Sequence, residues 1–372
     1  MGEFLDRPEK LSPPQRRSKG NGRMTPEHEQ ILLPSGHHIY NVVTQKEQDH
    51  ARLQIARLGN PSEVVELVEI PDPDAPGVGE VLVAIEYAPI NTSALLTISG
   101  RYGVRPPLPI GVGNEGVGRI LSVGEKVDHL QIGDRVLIPT TAPSWRERLV
   151  LPAKDLFALP PEADPQQLSM LRINPPTASL LLSEYVALSP GDWVLQNAGN
   201  SGVGRWVITF ARERGLKTVS VIRRQELIDD LIAAGGDVVL VDGADVASRV
   251  AEATGHATIS LALDGVAGAA MQSLSSCLSP GGTLVVYAFM SEQPGQVNPA
   301  DLIFRRVTIR GFWLESPAVR GSPKVLEAIK TGARLIAEGK LHLLIAAVYP
   351  LSAAREAITH AQRGGKVLFV CS

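Results

Sequence analysis

Cysteine is scarce in this sequence: its 372 residues include only two, Cys277 and Cys371. The two lie far apart and form no CxxC pair, so a four-cysteine zinc site is excluded. They are also too few for a disulfide framework, and such low usage is typical of a reducing compartment. We therefore expect a cytoplasmic protein that depends on hydrophobic cores rather than on cross-links.

Neither sign of charge dominates, and long apolar runs are missing. The formal net charge is -3 and the isoelectric point is about 6.3. These values give no electrostatic reason to expect a nucleic acid or an anionic membrane as a partner. No apolar stretch approaches the roughly 18–20 residues that a membrane-spanning helix needs. We expect no nucleic acid and no membrane among the partners.

The first part of the chain contains little that predicts structure. Residues 1–30 are polar and rich in proline, glycine and charge, with no apolar centre for a secretory signal. Arg16, Arg17 and Arg23 are typical of a mitochondrial transit peptide, whereas the acidic residues among the first positions argue against one. We predict a disordered extension over residues 1–48 and keep mitochondrial targeting as the alternative.

Two kinds of pattern divide the rest of the chain, and its length suits two domains. From about residue 51, short alternating segments separated by proline and glycine predict a mostly β region. From about residue 165, the pattern predicts a helix over 165–188, the strand WVLQNAG (193–199), a helix over 203–214 and the strand KTVSVIRR (217–224). Apolar strands separated by helices predict an α/β fold whose parallel sheet is covered on both faces.

A glycine-rich turn follows the first strand of this α/β region. In WVLQNAGNSGVGRWVITFARERG, the strand is followed by Gly199, Gly202 and Gly204 and then by an amphipathic helix. Glycine allows a tight turn and lets backbone N–H groups approach a pyrophosphate at the positive end of the helix. The spacing is GxxGxG rather than GxGxxG, and glycine needed only for packing remains an alternative.

Two arginines, Arg223 and Arg224, end the next predicted strand. A dinucleotide site reads the adenosine ribose at this distance from the turn, and sites specific for NAD usually place Asp or Glu there. Two cations suit a 2′-phosphate instead, so the sequence predicts NADPH rather than NADH. A solvated basic pair at the end of a strand is the alternative.

GNSGV also comes close to the GxSxG nucleophile elbow of α/β-hydrolases. Its fifth residue is Val203 rather than glycine, and the downstream histidines, His256 and His360, lie in polar, loop-like or helix-surface sequence. We therefore rank the hydrolase interpretation below the nucleotide site.

Three further segments accompany the glycine-rich turn: GNEGVGRILSVGEKV (113–127), IGDRVL (132–137) and SPGDWVL (189–195). With them, the chain resembles the medium-chain dehydrogenase/reductase superfamily from about residue 50 onward. The resemblance implies a GroES-like, mostly β catalytic domain and a Rossmann cofactor domain with a doubly wound parallel sheet. Zinc alcohol dehydrogenases of this superfamily have GHE in the first motif, whereas Asn114 replaces the histidine here. The cysteine-bearing structural zinc lobe is absent too, so we expect no metal.

Other segments narrow the resemblance: INTSALLTISGRYGVRPPLP (90–109), INPPTA (173–178), NSGVG (200–204), RGFWL (310–314) and GGKVLF (364–369). Through them the chain is most similar to the 2-enoyl thioester reductases, and next to the quinone-oxidoreductase branch. The implied domains are 49–172 with 316–372 for the GroES-like part and 173–315 for the Rossmann part. One departure is NTSA at 91–94, where relatives often read NPSD, and it bears on the substrate pocket.

The resemblance also implies roles for individual residues. Tyr102, in GRYG, is implied as the catalytic hydroxyl, and Asn91 and Trp313 as parts of the substrate pocket. The implied cofactor contacts are Asn174, Asn200, Ser201, Gly202, Val203, Gly204, Arg223, Arg224, Tyr287, Ala288, Phe289, Met290, Phe312, Trp313, Leu314 and Lys366. By position alone, the alternatives are a packed loop tyrosine for Tyr102, a core or interface aromatic for Trp313, a solvated lysine for Lys366 and turn formers for the asparagines.

We therefore predict an NADPH-dependent oxidoreductase that reduces an activated C=C bond by hydride transfer without zinc, with a 2-enoyl thioester as the substrate. One alternative is a reductase of quinones, alkenals or a specialised metabolite. Another, of a different class, is a non-catalytic protein that binds NADPH. The family resemblance further implies a homodimer that covers the exposed strand VTIRGFWL (307–314).

Overall fold

A computed structural model describes residues 49–372. Its first part consists of short strands in which alternate side chains are buried, as at Val81, Val83 and Ile85. Its elements are β1 (Asp49–Ile55), α1 (Pro61–Val64), β2 (Val65–Pro71), β3 (Glu80–Pro89), α2 (Thr92–Ile98), β4 (Ile110–Gly111), β5 (Gly116–Val123), β6 (Arg135–Ile138) and β7 (Arg148–Pro152). The predicted mostly β region is confirmed.

The second part alternates helices with strands. Its elements are α3 (Pro165–Leu168), α4 (Asn174–Leu181), β8 (Trp193–Asn197), α5 (Gly202–Glu213), β9 (Lys217–Ile222), α6 (Ile228–Ala233), β10 (Val238–Val241), α7 (Val246–Ala253), β11 (Ile259–Asp264), α8 (Ala269–Cys277), β12 (Thr283–Val286), α9 (Pro299–Ile303) and β13 (Thr308–Gly311). The strands form one parallel sheet in the order β10-β9-β8-β11-β12-β13. This is the strand order of the doubly wound dinucleotide fold, and the predicted fold class is confirmed.

The last part of the chain returns to the first. Its elements are α10 (Pro323–Ala337), β14 (Ile345–Pro350), α11 (Ala354–Arg363) and β15 (Lys366–Val370). β15 pairs antiparallel with β3, which gives a sheet ordered β14-β15-β3-β5-β6, with β7 also paired to β3. β2, β1 and β4 form a smaller sheet beside it. Segments from both ends of the described chain therefore build one β structure.

The hydrophobic cores join these parts. One core lies within the β structure, where Trp145 packs edge-on against Phe369 with ring centroids 5.1 Å apart. A second core is shared, because Val117 of β5 and Leu137 of β6 belong to the same cluster as Trp206 of α5. The shared core fixes the β structure against the helices that cover the parallel sheet.

One predicted element is wrong in its extent. The helix expected over 165–188 is two short helices, α3 and α4. The first is capped by Asp164, whose carboxylate accepts a backbone N–H at 2.9 Å. The second begins at Asn174, because Pro175 and Pro176 have no N–H and fit only the first turn of a helix.

Two expectations concern membranes and the start of the chain. None of the helices found between residues 49 and 372 combines the length and the apolar character that crossing a bilayer requires. The extension predicted over residues 1–48 lies outside the described residues.

Candidate active site

Most of the implied cofactor residues lie at the carboxyl ends of the parallel strands. The chain leaves β8 toward β9 and β11 toward β12, so the direction of winding reverses between two adjacent strands. Ligands of this fold bind in the crevice at that point. The strand ends supply Asn200–Gly204, Arg223 and Arg224, Tyr287–Met290, and Phe312–Leu314. Four separate segments of the sequence therefore line one edge of the sheet.

The glycine-rich turn is held by buried polar contacts. Ser201 caps α5, and its Oγ accepts the N–H of Gly204 at 3.1 Å. Gln196, which is fully buried, donates to the carbonyl of Gly204 and to Ser220 Oγ, each at 3.1 Å. These bonds tie the turn to β8, α5 and β9. They leave the positive end of α5 directed at the crevice, where it suits a phosphate.

Gly204→Ala is expected to destabilise this turn. A Cβ at position 204 would lie 2.5 Å from the carbonyl oxygen of Ala198, where the helix meets the turn. Overpacking of this kind costs about 1–3 kcal/mol, so the midpoint of thermal unfolding, Tm, should fall by several degrees. Gly321→Ala is the matched control, because nothing lies within 4 Å of a Cβ there. Equal Tm values for the two variants would contradict the close approach.

Asn174 stands against the same turn at the start of α4. Its side chain is buried, and its Nδ2 has no hydrogen-bond partner within residues 49–372. A Cβ on Gly202 would lie 2.7 Å from that nitrogen, so the amide and the turn are in direct contact. A buried donor without a partner costs free energy that a bound ligand can recover. Asn174 is therefore well suited to face a cofactor.

Arg223 and Arg224 follow β9, whose last residue is Ile222, rather than ending the strand. Arg223 lines an open cavity of about 520 Å³ together with Asp242, residues 266–270, Ser291 and residues 293–296. Arg224 Nε lies 3.8 Å from the Glu226 carboxylate, and both side chains are more than half exposed. Such a pair is weak, so the Arg224 guanidinium remains available to another anion.

Two buried polar residues at the crevice were not singled out from the sequence. Asn197 ends β8 and donates through Nδ2 to Oδ1 of Asp264, the last residue of β11, at 2.6 Å. The same oxygen accepts the N–H groups of Val266 and Ala267 at 2.8 and 2.9 Å. The pair fixes the loop after β11 beside the end of β8. The available signal was the Asp-Gly pair at the end of an apolar strand.

In the segment after β12, the side chain of Tyr287 points into the protein, whereas those of Phe289 and Met290 are exposed. A Cβ on Gly265 would lie 2.6 Å from the hydroxyl of Tyr287, so glycine makes room for that hydroxyl. Burial raises the pKa of Tyr287 above its usual value, and the hydroxyl stays protonated. Phe289 and Met290 are 44% and 46% exposed, which leaves apolar surface at the strand ends for a ligand.

Tyr102 and Trp313 meet although they are far apart in the sequence. Trp313 Nε1 donates to Tyr102 Oη at 2.9 Å, and the rings pack edge-on with centroids 5.9 Å apart. Burial raises the pKa of Tyr102 above its usual value, so the hydroxyl keeps its proton at neutral pH. Because the indole N–H occupies a lone pair of Oη, the phenolic hydrogen is free to be donated elsewhere.

An ion pair joins the Tyr102 loop to the segment after β12. Arg101 donates to both carboxylate oxygens of Glu292, at 2.6 and 2.9 Å. Both side chains are about half exposed, so the pair adds little stability. It nevertheless places the loop of Tyr102 beside the Tyr287–Met290 segment. Sequence patterns do not pair residues at this separation, and the contact was not predicted.

A buried carboxylate, Glu115, connects several of the predicted residues. Its oxygens accept from Asn91 Nδ2 at 2.7 Å and from the backbone N–H groups of Arg172 and Ile173, each at 3.1 Å. Lys366 Nζ donates to Asn91 Oδ1 at 2.9 Å. The structure thus brings Lys366 to Asn91 rather than to the glycine-rich turn. Glu115 was not predicted, and its position in the GNEG motif was the signal.

Comparison with known proteins identifies the family. Residues 77–160 match the alcohol dehydrogenase GroES-like domain family, and residues 202–331 match the zinc-binding dehydrogenase family. The mitochondrial enoyl-[acyl-carrier-protein] reductase of Mus musculus is 37% identical over 314 residues, which are 81% of this chain and 82% of the relative. The chain belongs to this enoyl reductase family. The Caenorhabditis elegans member is 37% identical over 260 residues, 68% of this chain and 74% of its own length.

Solved structures share the fold of this enoyl reductase. A mutant form of the enoyl thioester reductase of Candida tropicalis has a TM-score of 0.79 at 22% identity, over 87% of this chain and 100% of that one. A Bacillus thuringiensis structure assigned as an NADPH:quinone reductase has a TM-score of 0.78 at 26% identity, with the same coverage. The predicted membership of the medium-chain dehydrogenase/reductase superfamily is therefore confirmed.

Asn114 occupies the motif position of the histidine ligand of zinc alcohol dehydrogenases. In this enoyl reductase its Nδ2 donates to Ser93 Oγ at 2.8 Å, and its Oδ1 lies 3.4 Å from Asn91 Nδ2. Between residues 49 and 372, no group of three or more His, Cys, Asp or Glu side chains is arranged to hold a metal ion. The zinc-free site stays a prediction, which metal analysis of the purified protein tests.

Proposed function

We propose that this enoyl reductase uses NADPH to reduce the C=C bond of a 2-enoyl thioester. The observation that carries the proposal is the state of the Tyr102 hydroxyl. It is protonated, it accepts a hydrogen bond from Trp313, and its own hydrogen is free to be donated to a substrate. Its enoyl-[acyl-carrier-protein] reductase relatives support the reaction class. A structural neighbour, at 22% identity and a TM-score of 0.78, is a complex of Etr1p with NADP and crotonyl-CoA.

The residues at the crevice fit NADPH. The orphaned donor of Asn174 and the positive end of α5 suit the middle of a dinucleotide. Arg223 and Arg224 offer two cations to a 2′-phosphate, and an acidic residue that would reject it is absent at these two positions. When bound, NADPH supplies the hydride that is added to the β-carbon of the substrate.

Tyr102 would act on the thioester carbonyl, which is conjugated with the C=C bond of the substrate. As the β-carbon is reduced, negative charge develops on the thioester oxygen. A hydroxyl aimed at that oxygen stabilises the charge by about 3–4 kcal/mol. The same proton can pass to the α-carbon, and a proton from solvent water then restores the Tyr102 hydroxyl. Trp313 fixes Oη through its indole N–H, so the donor is oriented before the substrate arrives.

Consumption of NADPH and of NADH with crotonyl-CoA, an alkenal and a small quinone tests the proposal. We expect the highest kcat/KM with NADPH and the thioester. A higher kcat/KM for the quinone would favour the second candidate, a quinone or alkenal reductase. That candidate is favoured by the Bacillus thuringiensis neighbour. NADPH binding without any turnover would point to the non-catalytic alternative.

We also propose a homodimer in which β13 pairs across the subunit interface. β13 is one of the two edge strands of the parallel sheet, and the nearby side chains of Ile303 and Phe304 are 66% and 80% exposed. Exposed apolar surface beside an open strand edge favours self-association. We expect the wild type to elute at twice the chain mass of 39.8 kDa and Phe304→Asp to elute as a monomer. Val78→Asp, at a residue that is 61% exposed, should remain dimeric.

Two further predictions belong with this function. The domain boundaries, 49–172 with 316–372 and 173–315, stay a proposal, supported by the return of β15 to β3. The cytoplasmic location also stays a proposal, beside the mitochondrial one that the names of the relatives favour. A fluorescent fusion of the full chain, followed in cells, distinguishes the two compartments.

A further inference from the structure

Glu115 lies at the junction of the two segments that carry the proposed active-site residues. It is fully buried, just before β5, and its backbone carbonyl accepts a hydrogen bond from Ser144 Oγ at 2.7 Å. Both carboxylate oxygens are used. One accepts the Asn91 amide, and the other accepts two backbone N–H groups. A buried carboxylate with every partner in place is rigid.

The partners of Glu115 are the starting points of two helices. Asn91 is the N-cap residue of α2, and the turn after α2 leads to Tyr102, whose N–H donates to the carbonyl of Leu96 at 3.1 Å. The N–H groups of Arg172 and Ile173 directly precede Asn174, the first residue of α4. One carboxylate therefore holds the beginnings of the segments that carry Tyr102 and Asn174.

The hydrogen bonds of this cluster run in one direction. Lys366 can only donate, so the atom of Asn91 that faces it must be the carbonyl oxygen. The Asn91 nitrogen must then face Glu115, which accepts from it and from the two backbone N–H groups. The residue at position 115 therefore has to accept hydrogen bonds through both of its side-chain oxygens.

We propose that Glu115, in its ionised form, is a positioning residue that aligns Asn174 and Tyr102 through the directed chain Lys366–Asn91–Glu115. This role rests on the proposed function, since Asn174 is taken to bind NADPH. Glu115 touches neither cofactor nor substrate in this scheme. It sets the positions of the two helix starts between which hydride transfer takes place.

The charges around Glu115 make the cluster sensitive to pH. Burial raises the pKa of Glu115 to about 7, against the opposing effect of Lys366, while burial lowers the pKa of Lys366. Lys366 from β15 and Arg172 from the segment before α4 are the charged groups that face it. Below about pH 7, a proton on Glu115 would compete with one of its three donors. NADPH binding should therefore weaken as the pH falls through that value.

Glu115→Gln tests the direction of the chain. The nitrogen of the new amide at position 115 would face the Asn91 nitrogen, and both are donors. Turning the Asn91 amide would relieve this conflict but would place the Asn91 nitrogen against Lys366, which is also a donor. We expect the Kd for NADPH, measured by fluorescence titration, to rise about tenfold, as for the loss of a charge-assisted hydrogen bond. The fall in affinity between about pH 8 and pH 6 should be smaller in the variant than in the wild type, because the group with a pKa of about 7 is gone.

Adding Asn91→Asp to Glu115→Gln should restore the chain with the charge moved by one residue. The introduced carboxylate accepts from Lys366 and from the new amide, whose oxygen still accepts the two backbone N–H groups. We expect the Kd of the double variant to return to within about threefold of the wild type. Glu86→Gln is the control for loss of a carboxylate, since Glu86 pairs with Arg135 at 2.6 Å in the same β structure. It should leave the Kd unchanged.

The outcomes separate this inference from the proposed function. A wild type that neither binds NADPH nor reduces enoyl thioesters ends the proposed function. If the wild type is functional and Glu115→Gln has the same Kd for NADPH, the inference is overturned but the proposed function is not. The same holds if the double variant binds NADPH no better than Glu115→Gln. If Glu115→Gln does not fold, the folded double variant is compared with the wild type: a Kd within about threefold of the wild type supports the inference, and a larger Kd overturns it.

Discussion

Tyr102→Phe should lower kcat/KM for a 2-enoyl thioester about 100-fold, as for the loss of one donor to a developing oxyanion. The phenyl ring keeps the edge-on packing with Trp313, so the loop should stay in place and only the hydroxyl is lost. The Kd for NADPH should change little, because the substitution leaves the glycine-rich turn and the two arginines intact. Steady-state kinetics together with a binding titration measure both quantities.

Trp313→Phe is the companion variant. It removes the N–H that donates to Tyr102 Oη at 2.9 Å but retains an aromatic ring. The hydroxyl then loses its orientation rather than its presence, so we expect a smaller fall in kcat/KM than in Tyr102→Phe. Full activity in Tyr102→Phe would remove this tyrosine from the mechanism and return it to the interpretation as a packed loop residue.

Arg223→Ala combined with Arg224→Ala should raise the KM for NADPH about 100-fold and that for NADH by much less. A hydrogen bond to a charged group contributes about 1.5–3 kcal/mol, and two such contacts to a 2′-phosphate would be lost only with NADPH. Within residues 49–372, neither arginine has a strong partner that would have to be displaced first. Kinetics with both cofactors give the ratio directly.

Glu226→Gln is the control for this double variant. It removes only the weak 3.8 Å partner of Arg224, so the preference for NADPH should persist or increase slightly. Equal losses for NADPH and NADH in the arginine variant would contradict recognition of the 2′-phosphate. The pair would then be a solvated basic surface at the end of β9.

The cofactor side of the site could largely be predicted from sequence, because its signals are local. A strand, a glycine-rich turn and a helix are contiguous, and Arg223 follows the next strand at a characteristic distance. The fold class followed from the same alternation of strands and helices. The helix expected over 165–188 failed because Pro175 and Pro176, which fit only the first turn of a helix, start a second helix within the segment.

The contacts that were missed are those between distant segments. Glu115 and Asp264 are buried acids, and an acidic residue in a motif does not reveal whether donors converge on it. The pairing of Arg101 with Glu292 and of Tyr102 with Trp313 depends on the tertiary fold. Tyr102 was singled out only through a family resemblance, whereas its hydrogen-bond partner required coordinates.

The pairing of β15 with β3 has a consequence for synthesis of the protein in the cell. β3 is among the first strands to leave the ribosome, but the strand that lies against it, Lys366–Val370, is translated after the whole nucleotide-binding region. Until then the Tyr87–Pro89 end of β3, which β7 does not cover, lacks a partner on that side, and such an open strand end can be captured by another nascent chain. Folding should therefore finish only after translation has passed β15, and chaperones that shield open strands should raise the yield of active enzyme.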